Sequence, residues 1–267
     1  MAKTTTNVAK YRARVEPYAA MAEAILRAEV DVLSSIQPGD SNLAPKKLTL
    51  ADEMLNLVSC YVAMNGISQV LMKSRDEDAL NSARKALFKS IVYLEDVVTG
   101  FVDASFSDYK DKLDEIEAVE PAARYALVRK MGLAIDLLAN AYADNTKWRW
   151  TIVELKGRFA VVAKNLINLD QINANSDFRS PHYEPTVYHL RMAKKLLAQA
   201  AERYREKYEL SSKSVEDFNK SLSFLSALRR LSVVTGARDD AETIKKKMEI
   251  WSTKLASDIK LKAERKK

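Results

Sequence analysis

Glycine and proline are scarce in this chain, six of each among 267 residues. Hairpins, sandwiches and barrels use these residues at almost every turn, so their scarcity excludes strand-rich folds and predicts long helices. Cysteine occurs once, at Cys60, which excludes an internal disulfide framework and points to a reducing, cytoplasmic setting. The opening stretch Met1-Ala2-Lys3-Thr4-Thr5-Thr6-Asn7 has no apolar core of the kind a secretion leader carries, in line with that expectation.

Catalytic and metal-binding motifs are missing as well. His182 and His189 are the only histidines, and Pro185 lies between them, so they are not adjacent ligands one helical turn apart. Neither Glu-x-x-His nor His-Glu-x-x-His occurs, and no glycine pattern forms a phosphate loop. The acidic run Asp239-Asp240-Ala241-Glu242 sits just past Gly236, where a helix start favours carboxylates in any case. The expectation is a chain that is not an enzyme and that needs no cofactor or metal.

From Met54 to Met72 the chain runs 19 residues without a charge, near the length that spans a bilayer. Asn56, Ser59, Asn65, Ser68 and Gln69 interrupt that run and are costly against lipid. A core helix covered by neighbouring helices explains the run better.

What is present is helical periodicity. The predicted helices span about 7–36 (kinked or broken near Glu16 by Pro17), 49–73 (capped by Thr49), 76–103, 107–117, Pro121 to Tyr142, a sixth capped by Asp144 or Asn145, a seventh from Pro185, an eighth from Ser214 to Gly236, and a ninth running to the basic end. The sixth carries the cleanest stripe: Trp148, Ile152, Leu155, Phe159, Val162, Leu166 and Leu169. Val97-Val98-Thr99-Gly100 recurs 136 residues later as Val233-Val234-Thr235-Gly236, and the same offset places Pro45 on Pro181, Phe88 on Phe224 and Ser90 on Ser226. This is the pattern of a duplicated three-helix unit. The fold class expected is therefore all-α, a bundle of eight or nine helices. Two helical units, 1–142 and 143–267, are expected to pack as one globular domain.

Charge is unevenly distributed. Residues 76–120 hold 12 acidic and 5 basic side chains, whereas 245–267 hold 9 basic and 3 acidic. The molecule is therefore expected to be electrically polarised, with the basic end able to meet the acidic segment of another copy. The candidate anion- or nucleic-acid-binding residues are Lys147, Arg149, Trp150, Arg158, Arg179 and Arg191, with Lys245, Lys246, Lys247, Lys254, Lys260, Lys262, Arg265 and Lys266 on the last helix. Lys147-Trp148-Arg149-Trp150 interleaves cations with aromatics, although Trp148 also belongs to the apolar stripe. The irregular segment 173–184 and the helix after it bring Phe178, His182, Tyr183, Tyr188 and His189 into one aromatic cluster, a candidate binding loop.

These features predict a non-enzymatic helical scaffold or assembly subunit that binds protein partners, or copies of itself, through helix faces. The alternatives are a nucleic-acid or anionic-surface binder using the basic C-terminal half, and an enzyme or ligand carrier with a pocket between helices. No transmembrane segment is expected.

Overall fold

Alanine- and leucine-rich segments lose little side-chain freedom in a helix, and almost the whole chain takes that state. The computed structural model describes residues 2–37, 39–40, 42–143 and 146–264, the side chains of 2–6 and 146 excepted. Among them are ten α-helices and no strand, as the scarcity of glycine and proline predicts. They are α1 (Ala2–Ser34), α2 (Leu43–Leu71), α3 (Glu77–Val97), α4 (Lys110–Asp114), α5 (Pro121–Tyr142), α6 (Arg149–Asn165), α7 (Ile172–Asn175), α8 (Tyr183–Lys207), α9 (Val215–Val234) and α10 (Arg238–Glu264).

The chain forms two compact units, one of Met1–Val98 with Lys112–Ile152 and the other of Thr99–Asp111 with Val153–Lys267. The division thus falls inside α6 rather than at 142, and the segment after α3 groups with the second unit.

In the first unit α1, α2, α3 and α5 run alternately up and down. Tyr11 near the start of α1 donates to Asp76 Oδ2 at 2.9 Å, at the head of α3. Near the end of α1, the buried Glu29 carboxylate accepts from the Tyr93 hydroxyl and Lys89 Nζ, towards the end of α3. The α5 end returns to the α3 start, where the Tyr142 hydroxyl donates to the Leu80 carbonyl at 3.2 Å. Between the helices, Met54, Leu55 and Val58 of α2, Leu80, Leu87 and Ile91 of α3, and Met131, Ile135 and Leu138 of α5 form a buried core.

The uncharged run lies in α2, which packs on α1, α3 and α5. By length and composition alone it is the one described helix that would cross a membrane. Three of its polar residues bond within the unit. Asn56 Nδ2 donates to Glu53 Oε2 at 3.2 Å and Ser59 Oγ to the Leu55 carbonyl at 3.2 Å. Asn65 Oδ1 accepts from the Asp76 backbone N–H at 3.0 Å.

The second unit repeats the alternation with α6, α8, α9 and α10. Gly157 of α6 lies beside Tyr204 of α8, which stacks on Phe224 of α9 with ring centroids 5.4 Å apart. At the other end of the α6–α8 pair, His189 Nε2 donates to the Ala163 carbonyl at 2.8 Å. The helix α9 stops in a paired C-terminal motif. Ala237 N–H donates to Ser232 O at 2.9 Å and Gly236 N–H to Val233 O at 3.1 Å, with Gly236 at a φ of 73° that suits only glycine without strain. At the 136-residue offset α2 falls on α8 and α3 on α9, but α1 has 33 residues against 17 in α6. Alternating order is what any up-down bundle has, so it does not establish a duplication.

Several boundaries differ from expectation. The helix α1 runs unbroken through Pro17, because Val15 and Ala22 are both buried and anchor it on either side. Thr49 is not a cap: α2 begins at Leu43, Pro45 occupies a first-turn position that needs no donor, and Thr49 Oγ1 bonds back to the Pro45 carbonyl at 3.2 Å. The helix α3 ends at Val97, well before Asp103, and leaves Phe101 exposed. Asp144 and Asn145, the expected cap of the sixth helix, lie outside the described residues.

Gly157 gives a sharp test of this packing. A Cβ there would stand 2.7 Å from Tyr204 Cε2 and 3.3 Å from Phe224 Cζ, two stacked and buried rings with no room to retreat. Gly157→Ala is expected to lower stability by about 1–3 kcal/mol, against alanine's better helix propensity. Chemical denaturation of the variant measures this, and a gain in stability would contradict the packing.

Candidate functional site

The basic last helix is held by few side chains. Ala241, Trp251 and Leu255 are the residues α10 buries, among 27. Trp251 packs edge-on to Phe218, with the Arg205 guanidinium 4.7 Å and Lys247 Nζ 4.9 Å from its ring centre. Lys247 also pairs with Glu202, and Lys254 pairs with Asp258 at 3.0 Å one turn on. Asp258 in turn accepts from the Tyr208 hydroxyl at 3.0 Å. Lys245, Lys246, Lys254, Lys260 and Lys262 are exposed, whereas Lys247 is half-buried. Arg265 and Lys266 lie outside the described residues. Ile250, Ile259 and Leu261 are exposed as well.

The aromatic–cation tetrapeptide is taken up internally at its centre. Trp148 stacks on Tyr142 at 5.1 Å, with the Arg84 guanidinium 4.6 Å and Lys147 Nζ 5.0 Å from its ring centre. The Arg149 guanidinium covers Trp150 at 4.7 Å. Lys147 and Arg149 are exposed, while Trp150 and Arg158 are half-buried.

The loop cluster separates. Arg179 lies 5.3 Å from the ring centre of Phe178, which is exposed. His182 occupies the cap position of α8 and Tyr183 its first turn, both half-buried. Tyr188 and Arg191 face outward, whereas His189 is buried against α6 with its imidazole bonded to a backbone carbonyl. Helical periodicity puts His189 and Tyr188 on different faces, so the five residues do not converge on one point.

A cluster that the sequence reading passed over surrounds Lys164. This lysine is 5% exposed, and its Nζ reaches the Ala104 carbonyl at 3.3 Å and stands 5.5 Å from the centre of the Tyr109 ring. Asp103 is held by Ser226 at 2.6 Å and Arg230 at 3.1 Å, and Arg230 also donates to Ser105 at 2.6 Å. Asn165 Nδ2 donates to the Thr99 carbonyl at 2.9 Å, while its buried Oδ1 has no hydrogen-bond partner. These bonds tie segment 99–109 to α6 and α9. Burial lowers the Lys164 pKa to about 8; Asp103 opposes that shift and Arg230 adds to it. Burial likewise raises the Tyr109 phenol above its usual range. The signal was legible: Lys164 interrupts the apolar stretch from Phe159 to Ile167 on a helix buried almost all round.

One family model matches residues 7–259, that of the TP0443 family. The chain belongs to the TP0443 family. No curated protein and no solved structure matches it. The span matched by the TP0443 family model takes in the Lys164 cluster and the cations as far as Lys254, and stops before Lys260 and Lys262.

Lys164 should set a pH signature. Because its folded pKa is depressed to about 8, the native state releases this proton while the unfolded chain, with an ordinary lysine pKa of about 10.4, still holds it. Stability from this group therefore rises with pH between those values, with a slope approaching about 1.4 kcal/mol per pH unit. Lys164→Met should remove that rise between pH ~8 and ~10. Parallel stability–pH curves for the two proteins in denaturant titrations would show that Lys164 does not titrate as a buried group.

Proposed function

We propose that this chain is a non-enzymatic helical assembly subunit that joins protein partners, copies of itself foremost, through the open faces of its first and last long helices. The observation that carries this reading is how little α1 and α10 bury. Among its described side chains α1 buries Val15, Ala22 and Glu29, and it leaves Tyr18, Met21, Leu26, Val30 and Leu33 exposed along its length. In α10, Ile250, Ile259 and Leu261 stand open among lysines. Single exposed apolar residues are ordinary on a protein surface. Here, however, Leu26, Val30 and Leu33 fall within about 60° of one another around the α1 axis, and Ile250 and Leu261 share a side of α10. Such groupings mark an interaction face.

Charge supports self-association. Glu77, Asp78, Asp114, Glu115, Glu117 and Glu120 are exposed in the acidic part of the sequence, and Lys245, Lys246, Lys254, Lys260 and Lys262 are exposed on α10. The α10 face of one copy thus complements the acidic residues of another. A second reading, binding of nucleic acid or an anionic surface, is favoured by the same row of lysines.

Size-exclusion chromatography with light scattering and dual-wavelength absorbance tests both. A discrete oligomer at low salt that dissociates at high salt is expected. Val30→Glu and Ile250→Glu, at positions 63% and 68% exposed, should abolish it while leaving stability within about 0.5 kcal/mol of the parent. A parent that is monomeric at every salt concentration rejects the assembly reading. Nucleic-acid absorbance that salt strips away, and that disappears when Lys245, Lys246, Lys260 and Lys262 are neutralised, favours the second. Charge neutralisation is the cleaner probe, since deleting the helix would also remove Trp251 and Leu255 from the core.

A further inference from the structure

Three helices of the second unit leave a cleft of about 410 Å³ between them, within the size range of small-molecule sites. Val153 and Lys156 of α6, Leu196, Glu202 and Arg203 of α8, and Lys247 of α10 are among its lining residues. Val153 is buried and Leu196 half-buried, and together they give the cleft an apolar wall. Three of the lining residues are cations, against the single carboxylate of Glu202.

We propose that this cleft binds a small organic phosphate, with the phosphate between Arg203 and Lys247 and the apolar body of the ligand against Val153 and Leu196. The two cations are held in ways that make exchange easy. Lys247 pairs with Glu202, their side chains 39% and 52% exposed. Arg203 pairs with Glu206 at 2.8 Å through Nη1. Exposed pairs of this kind contribute little to stability, so a dianionic phosphate can replace a carboxylate partner at small cost. A guanidinium carries five N–H donors in a fork that suits phosphate, and the bond to Glu206 engages one of its nitrogens. Lys156 adds a third positive charge from the facing helix. Lys247 Nζ also lies 4.9 Å from the centre of the adjacent Trp251 ring, a cation–π contact that places the ammonium on one side of the site.

The chemistry is shared by two sources, a soluble phosphate ester and a lipid phosphate. Isothermal titration of the full chain with adenosine monophosphate and with hexyl phosphate examines the first, with inorganic phosphate as the reference for charge alone. Sedimentation with phosphatidylcholine vesicles, with and without phosphatidic acid, examines the second. The expected result is saturable binding of at least one phosphate ester or of the phosphatidic acid vesicles, tighter for an ester than for inorganic phosphate. Lys156→Gln with Arg203→Gln should weaken it at least about ten-fold, with the circular dichroism spectrum and melting temperature retained. Arg203 is exposed and Lys156 half-buried, and neither belongs to the apolar core, so the variant is expected to keep its fold. Absence of binding to every probe overturns the proposal. So does undiminished binding by the double variant, or an ester that binds no better than inorganic phosphate.

Discussion

Side-chain burial has to hold helix to helix here, because backbone hydrogen bonding in the regular elements is satisfied inside each helix. Each unit answers that constraint with an antiparallel pair, α2 with α3 and α8 with α9. Where two of these helices approach closely, the residues are small or flat: Ala51 beneath Ser90 in one unit, Gly157 beneath the stacked Tyr204 and Phe224 in the other. Close-packed interiors tolerate little change of volume, so these contacts fix the spacing of the helices around them.

The outer helices are attached differently. Polar clasps hold α1, Tyr11 to Asp76 at one end and Glu29 to Tyr93 at the other, with short apolar contacts between. Trp251 and the Asp258–Tyr208 bond do the same for α10. Such attachment leaves most of each helix surface unburied, as the proposed partner-binding role would require. The inner helix α6 is the opposite case. It is buried over most of its length and yet takes Lys164 into its interior, where the ammonium, Asn165 and the Asp103–Arg230 pair secure the segment after α3. A buried cation is expensive unless neighbours compensate it, and this one has the Ala104 carbonyl at 3.3 Å, the Tyr109 ring face and the charge of Asp103.

The cleft between α6, α8 and α10 and the row of lysines on α10 belong to the same physical situation. A helix that buries little of its own surface leaves gaps beside it and keeps its charges in solvent. The proposed assembly faces and the proposed ligand cleft would use different side chains.

What the sequence determined is the local order. Low glycine and proline content, Asp76 and Pro121 as starts and Gly236 as a stop specify helices, because helix formation depends on residues within a turn or two. The α6 stripe was equally legible, since a 3.6-residue period needs no partner to be seen. Only the tertiary structure decided which members of each stripe are covered. Phe101 and Ile259 are apolar yet stand in solvent, while His189, read as a binding residue, is committed to a carbonyl of α6. The clustering of Lys156, Arg203 and Lys247 was not legible at all. Burial and convergence are set by helices distant in the chain, and a pattern that reports only neighbours along one helix carries no record of what packs against it.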